Sequence, residues 1–329
     1  MITHVQTGTR QRSWRGAWRA AATAIALAVA ARGGAAQAAR GGLVLALPTS
    51  VRALGLGGAA DAAEPGEWAV FTAPGQLAGV GPAVGVATEA YLATTRLSAA
   101  AVAMKAFGGT VGFGATLLDY GSVDEIASAV PGVDGTATGR AYSAQDNAVV
   151  VGYARRAGAL RMGGAVEFVN TRVADLSGSS VAVSASAGWA VRPGWDVTAG
   201  IGHAGADVAL GATRGALPFT LSVSVAGPAW RVPAGWSVHP MAAFRDVRGE
   251  GASASGAMEA AWSDGGRGLA LRAGYTWRGY ADDHWPVSLG FGATLGRLGF
   301  DYAVERFSTI GQATHRVGLR YARGAPGQR

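Results

Sequence analysis

The sequence contains no cysteine. That excludes disulfides, thiol chemistry, thiolate-held metal and an acylated anchor cysteine. Charge is also scarce: Asp, Glu, Lys and Arg make up 15 % of the 329 residues, against roughly 25 % in an ordinary soluble domain. The formal charge of +7 at first suggests an anionic partner. Arg10, Arg12, Arg15, Arg19 and Arg32 supply +5 of it from residues 1–38, a stretch without acids, and the other +2 is too little for a nucleic-acid-binding surface. Beyond residue 38 no apolar run reaches the ~20 residues that a membrane-spanning helix needs.

The basic start has a simpler reading. Arg10 to Arg19 form a charged n-region, AAATAIALAVAA (20–31) a short apolar core, and Ala36-Gln37-Ala38 an A-x-A cleavage site. The expectation is a secretory signal peptide over 1–38 and a mature chain outside the cytoplasm.

What the sequence has in abundance is glycine, 52 residues, placed with regularity. In VSLGFGATLG (287–296), Val287, Leu289, Phe291, Ala293 and Leu295 alternate with Ser288, Gly290, Gly292, Thr294 and Gly296. Alternation is the period of a β-strand, whose successive side chains point to opposite faces. The same two-faced pattern recurs in GALRMGGAVEF (158–168), SVAVSASAGWAV (180–191), RGLALRAGYTWR (267–278) and RLGFDYAVER (297–306).

A soluble sandwich and a transmembrane barrel both alternate in this way. The tryptophans separate them. About fourteen segments are legible, starting near residues 83, 96, 109, 145, 158, 180, 194, 218, 235, 255, 267, 286, 297 and 311. With the N-terminus in the periplasm, the inner connections are short and the outer ones include the longest, 119–144. Trp189, Trp195, Trp230, Trp236 and Trp262 then fall beside inner turns, and Trp277, Tyr280 and Trp285 at outer strand ends. Indoles favour the membrane–water boundary, whereas a sandwich would bury them in mid-strand. The predicted fold is all-β: a closed antiparallel transmembrane β-barrel of about 14 strands in the outer membrane. The corresponding division is 1–38 signal, 39–81 an N-terminal segment without a sustained strand period, 82–322 barrel and 323–329 tail. The greasy face meets lipid; the glycine face meets a lumen where material must fit closely.

The segment before the barrel carries a resemblance. Arg52-Ala53-Leu54-Gly55-Leu56-Gly57-Gly58-Ala59 matches the "R-A-L-G-x-G-G-A" opening of the PorV/PorQ branch of the FadL-like outer-membrane barrels. Phe71-Thr72-Ala73-Pro74-Gly75-Gln76-Leu77 stands where that branch shows "F-x-N-P-A-G-L". Residues 120–155, with Tyr120, Asp124 and Glu125, resemble its third outer loop and strand, and 300–321 its closing hairpin. The resemblance implies that 39–81 folds inward as a plug, with Arg52, Gly55, Gly57, Gly58, Phe71, Pro74 and Gly75 as its motif residues. It further implies an accessory role in type IX secretion. Such a protein binds secreted proteins with a shared C-terminal domain, together with other secretion components, through an outer surface including Tyr120, Asp124 and Glu125. A FadL-like channel for hydrophobic small molecules is the alternative.

Lumen-facing charges form the other candidate cluster: Arg272, Arg278, Asp301, Glu305, Arg316 and Arg320. On neighbouring closing strands, Asp301 and Glu305 are expected to pair with Arg316 and Arg320, with Arg272 or Arg278 contributing. Ion pairs that fix register and an anion- or headgroup-binding pore lining are the two readings. No Ser–His pair with an orienting acid is legible among His203, His239, His284 and His315, so no enzyme is expected. No cofactor, metal or nucleic acid is expected either; the partner that the pattern itself demands is outer-membrane lipid.

Overall fold

The computed structural model describes residues 41–63, 65–91, 94–127, 135–279, 284–308 and 311–323. The expected signal peptide, Tyr280 and residues 324–329 of the tail lie outside them.

Among the described residues, fourteen antiparallel strands follow one another around a closed sheet. They are β1 (Ala83–Ala90), β2 (Arg96–Ala106), β3 (Gly109–Ala127), β4 (Thr136–Ala157), β5 (Leu160–Val173), β6 (Leu176–Arg192) and β7 (Trp195–Gly205). The second half comprises β8 (Thr220–Ala226), β9 (Trp236–Val247), β10 (Gly251–Asp264), β11 (Arg267–Arg278), β12 (Val287–Leu295), β13 (Leu298–Arg306) and β14 (Ala313–Ala322). Pairing of β1 with β14, from Ala83 opposite Ala322 to Ala90 opposite His315, closes the barrel and leaves no sheet edge in the membrane zone.

Burial follows the sequence alternation strand by strand; β1 reads buried, exposed, buried throughout. The exposed set is apolar and includes Val84, Val86, Phe113, Val149, Phe168, Leu271, Leu289 and Leu319. An exposed face of that composition fits hydrocarbon. The inner connections are tight. Gly265 and Gly266, between β10 and β11, both have positive φ (53° and 86°), as a two-residue hairpin turn of the primed type requires.

Residues 119–144 differ from the expected loop. β3 and β4 continue past the barrel wall as a two-stranded ribbon, paired from Ser122 opposite Ser143 to Ala127 opposite Thr136. A bulge between Asp119 and Ser122 sets the bend, with Gly121 at φ 78° and its amide bonded to the Asp119 carboxylate at 2.9 Å. The fourth strand therefore starts at Thr136, earlier than the residue 145 that its apolar pattern suggests.

The lumen is filled. From Gly41, whose amide bonds to Ala216 O at the outer end, the chain descends to Pro82, whose carbonyl accepts from Arg323 N at the inner end. Two short helices stiffen it, α1 (Val51–Gly55), capped by Ser50 Oγ on Ala53 N at 3.2 Å, and α2 (Ala69–Thr72). The core of the protein lies between this segment and the wall. Val70, Phe71 and Leu77 pack on Ala101, Ala103, Val150 and Ala165, while Leu56 and Ala59 pack on Met241, Ala243 and Ala257. In these clusters the wall contributes mostly small residues and the plug the large ones, so plug and wall meet there as a packed core.

Candidate functional site

Glycines on the lumen face mark where plug and wall touch. A Cβ on Gly114 would lie 2.3 Å from the Phe71 ring, one on Gly163 2.6 Å from Pro74 O, and one on Gly274 2.4 Å from Gly57 N. Gly75 N donates to Ser186 Oγ at 2.8 Å, and Thr276 Oγ1 donates to Gly57 O at 2.9 Å. Gly58, at φ 77°, lies over the Arg245 guanidinium. Every motif residue of the plug thus sits in contact with the barrel wall, Gly55 included, through Gly290.

Ion pairs then fasten one side of the plug. Arg52 forms a two-pronged bond with Glu259, Nε to Oε2 at 2.8 Å and Nη2 to Oε1 at 2.9 Å, and its Nη1 donates to Ala63 O. Glu259 also accepts from Arg272 Nε at 2.7 Å, and Arg272 continues to Asp301. The result is an alternating chain, Arg52–Glu259–Arg272–Asp301, running from plug to wall. Arg245 holds Asp61 at 2.8 Å, and Arg320 holds Glu67 at 3.0 Å. Arg316 is buried against Glu89 and also donates to Pro48 O. All these wall residues belong to β1 and to β9–β14. Against β3–β7 the plug makes apolar contacts and neutral hydrogen bonds, such as that between Gln76 and Thr198.

The expected pairing of Asp301 and Glu305 with Arg316 and Arg320 is not what forms. Arg316 and Arg320 reach across to Glu89 and Glu67, which come from β1 and from the plug, and Asp301 takes Arg272. The physical reason is the plug: it fills the lumen, and the buried carboxylate Glu67 that it brings must be matched by a cation. Glu89 and Glu259 were also missed, although each stands on the lumen face of its strand in VATEA and AMEAAW. Arg278 and Glu305 line a different feature, described next.

Among the described residues, three spaces lie against α1, the smallest, about 150 Å3, beside Val51, Trp68 and Gly318. An outer cavity of about 280 Å3 is lined on the plug side by Leu43, Leu47, Pro48 and Leu54 and on the wall side by charged groups, Glu89, Arg245, Arg278, Glu305 and Arg316, with His284. An inner cavity of about 630 Å3 is bounded by Arg52, Glu259, Arg272, Asp301 and Arg320 and reaches the turns at Gly265–Gly266 and Arg297. The latch of ion pairs therefore lines the inner cavity, and α1 contributes Arg52 to that cavity and Leu54 to the outer one.

A second buried polar group lies in the wall. Glu167 is fully buried, accepts from Ser184 Oγ and bonds His203 Nδ1 at 2.7 Å; His203 N donates to Ser184 Oγ at 3.0 Å. His203 has φ 56° and sits at a register shift between β6 and β7 that follows the Val183–Ala204 pair. The sequence pattern places His203 near a loop, and it stands two residues before the end of β7, at a bulge that breaks the alternation. Ser184 donates to the acid and not to the imidazole, so the three do not form a nucleophile–base relay.

Of the outer-surface residues, Tyr120 sits at the base of the ribbon, bonded to Asp146 at 3.2 Å, and Asp124 is exposed on it. Glu125 accepts from Tyr142 Oη at 2.6 Å and from Thr138 Oγ1 at 2.5 Å. These two hydrogen bonds, Thr138 first, hold the Glu125 carboxyl below its usual range.

No protein-family model matches the chain, and no curated protein matches it. Its fold is nevertheless shared. The CymD monoaromatic hydrocarbon channel aligns with a TM-score of 0.57 at 9 % identity, over 84 % of this chain and 97 % of that one. The toluene transporter TodX of Pseudomonas putida aligns at 0.55 and 11 %, over 82 % and 96 %. A Pseudomonas aeruginosa FadL homologue aligns at 0.51 and 8 %, over 83 % and 98 %. The likeness reaches the FadL-like barrel and stops short of the PorV/PorQ branch. Closed barrel, apolar outer face and these neighbours make the protein an outer-membrane β-barrel.

Proposed function

We propose that this barrel is a plug-gated outer-membrane channel for small hydrophobic molecules. The observation that carries the reading is the pair of cavities beside α1, the inner one lined by the Arg52–Glu259–Arg272–Asp301 chain that fastens the plug. A barrel that served only as a shell would gain nothing from spaces beside a fastened segment. Leucines on the plug side of the outer cavity give an apolar molecule a surface to leave water for. The architecture shared with hydrocarbon channels and a toluene transporter supports the same reading. The residues hold and release; none is assigned a chemical step.

A second reading, the accessory role in type IX secretion implied by the PorV/PorQ resemblance, is favoured by one feature. The β3–β4 ribbon continues past the wall, pairs with no third strand along 122–127 and 136–142 among the described residues, and leaves Val123, Ile126 and Tyr142 exposed. Such a ribbon offers backbone groups to an added strand.

A deletion strain separates the two. Loss of growth on hydrophobic carbon sources with normal protein secretion supports the channel. Retained uptake with intracellular or periplasmic build-up of exported proteins overturns it in favour of the secretion role.

A further inference from the structure

The net charge of the chain beyond the signal is small, yet the fold does not spread it evenly. At the inner end, nearly every turn exposes arginine. Arg155 stands among the last, turn-side residues of β4, Arg192 ends β6, Arg231 lies between β8 and β9, Arg267 starts β11, Arg297 stands between β12 and β13, and Arg323 follows β14. Asp264 is the one exposed carboxylate at that rim among the described residues. The outer end is mixed: exposed Asp119, Asp124, Asp175 and Asp207 stand among Arg96, Arg140, Arg172, Arg214, Arg248 and Arg306. A whole-chain charge count hides this separation.

We propose that the inner rim is a binding surface for the phosphate of anionic phospholipids in the inner leaflet. Three observations select lipid as the occupant. The cations lie at the level of the aromatic girdle: Trp189, Trp195, Trp236 and Trp262 are half-buried there and Trp230 is exposed. Two of the guanidiniums engage that girdle directly, Arg192 stacked 4.4 Å from the centroid of the Trp195 ring and Arg297 donating to Tyr321 Oη at 3.3 Å. Arg155 and Arg267 continue the lipid-facing registers of Val151–Tyr153 and Leu269–Leu271, so their stems run along hydrocarbon and their heads end where phosphates lie. Guanidinium matches a phosphate with paired donors and gives up its weak hydration readily. The surface sits beneath the lumen and is independent of whether the lumen conducts.

The test uses the mature barrel purified in a neutral detergent and incubated with equal amounts of phosphatidylglycerol and phosphatidylcholine. Lipid retained through size exclusion is then counted by mass spectrometry. The expected preference for phosphatidylglycerol is about tenfold, the size that a few partly screened surface cations give. It should fall to near parity in R155Q/R192Q/R267Q/R297Q and persist in the outer-rim set R96Q/R172Q/R306Q. Pairwise variants, R155Q/R267Q and R192Q/R297Q, serve where the fourfold change prevents folding, judged by heat-dependent gel migration, and each should lose part of the preference. Equal retention of both lipids by the unchanged barrel, or equal loss from inner and outer sets, overturns the proposal.

Discussion

Gly55 of the plug helix and Gly290 of the wall meet backbone to backbone: a methyl group on Gly55 would stand 2.9 Å from the Gly290 Cα. That contact explains why the lipid-facing row of β12 keeps its large side chains while the opposite row is reduced to Ser, Gly and Thr. Hydrogen there is the only substituent that lets α1 lie against the sheet. Gly290→Val is expected to leave barrel closure intact, because β12 keeps its ladder and valine suits a strand. It should displace α1 instead. Limited proteolysis checks this: cleavage within 41–63, absent from the unchanged protein, should appear in the variant while its heat-dependent gel migration stays normal.

The Arg52–Glu259 pair fastens the same helix from its other side. Both side chains are largely buried, and Glu259 stays bonded to Arg272 when Arg52 is removed. Removing one partner of a buried pair costs about 3–5 kcal/mol when the other charge is left alone. The retained Arg272 puts Arg52→Ala at the low end of that range. The expected readout is conductance in planar bilayers, higher in R52A and in E259Q than in the unchanged barrel. The double variant should exceed neither single variant by much, since both remove one connection. Closed behaviour in all three would remove the latch from the gating.

The strand framework was largely legible in the sequence, and the plug's partners were not. Expected starts at 83, 96, 109 and 267 coincide with the observed ones, because a lipid-facing row broken by tight turns leaves no ambiguity of face. Register between strands distant in sequence, and the path of a segment without a period, depend on tertiary packing. Arg320 illustrates this: its strand neighbours suggest Asp301, yet its partner is Glu67 from a turn that no pattern points into the lumen. His203 shows the same limit inside a strand, since a bulge erases the alternation from which its face would be read.

Leu271 sits in the middle of β11, exposed on the lipid-facing row between Leu269 and Ala273. Arginine there would place a charge near the middle of the hydrocarbon slab. Leu271→Arg is expected to lower stability by about 2–4 kcal/mol, measured by denaturant titration of the lipid-embedded barrel, and Leu295→Arg, beside the inner turn, by only about 0–1 kcal/mol. Equal costs at the two positions would mean that this face does not meet a bilayer.

The outer ribbon is held by a carboxylate with two hydroxyl donors, and its stability should follow that group's ionisation. Thr138 and Tyr142 both donate to Glu125, favour its charged form and lower its pKa. A depressed folded-state value means that the contribution is fully present above the unfolded carboxyl value, about 4.3, and is lost as pH falls through the folded one. Amide hydrogen exchange in 122–127 and 136–143 should therefore be steady from neutral pH to about 5 and rise, beyond the intrinsic trend, on further acidification. Tyr142→Phe removes one of the two donors and should shift that rise to higher pH, with β5–β7 of the barrel wall unaffected. Glu125→Gln should abolish the pH dependence altogether. A ribbon whose exchange in the Gln variant still tracks acidification would place its stabilising charge elsewhere, in the exposed Asp119 or Asp124.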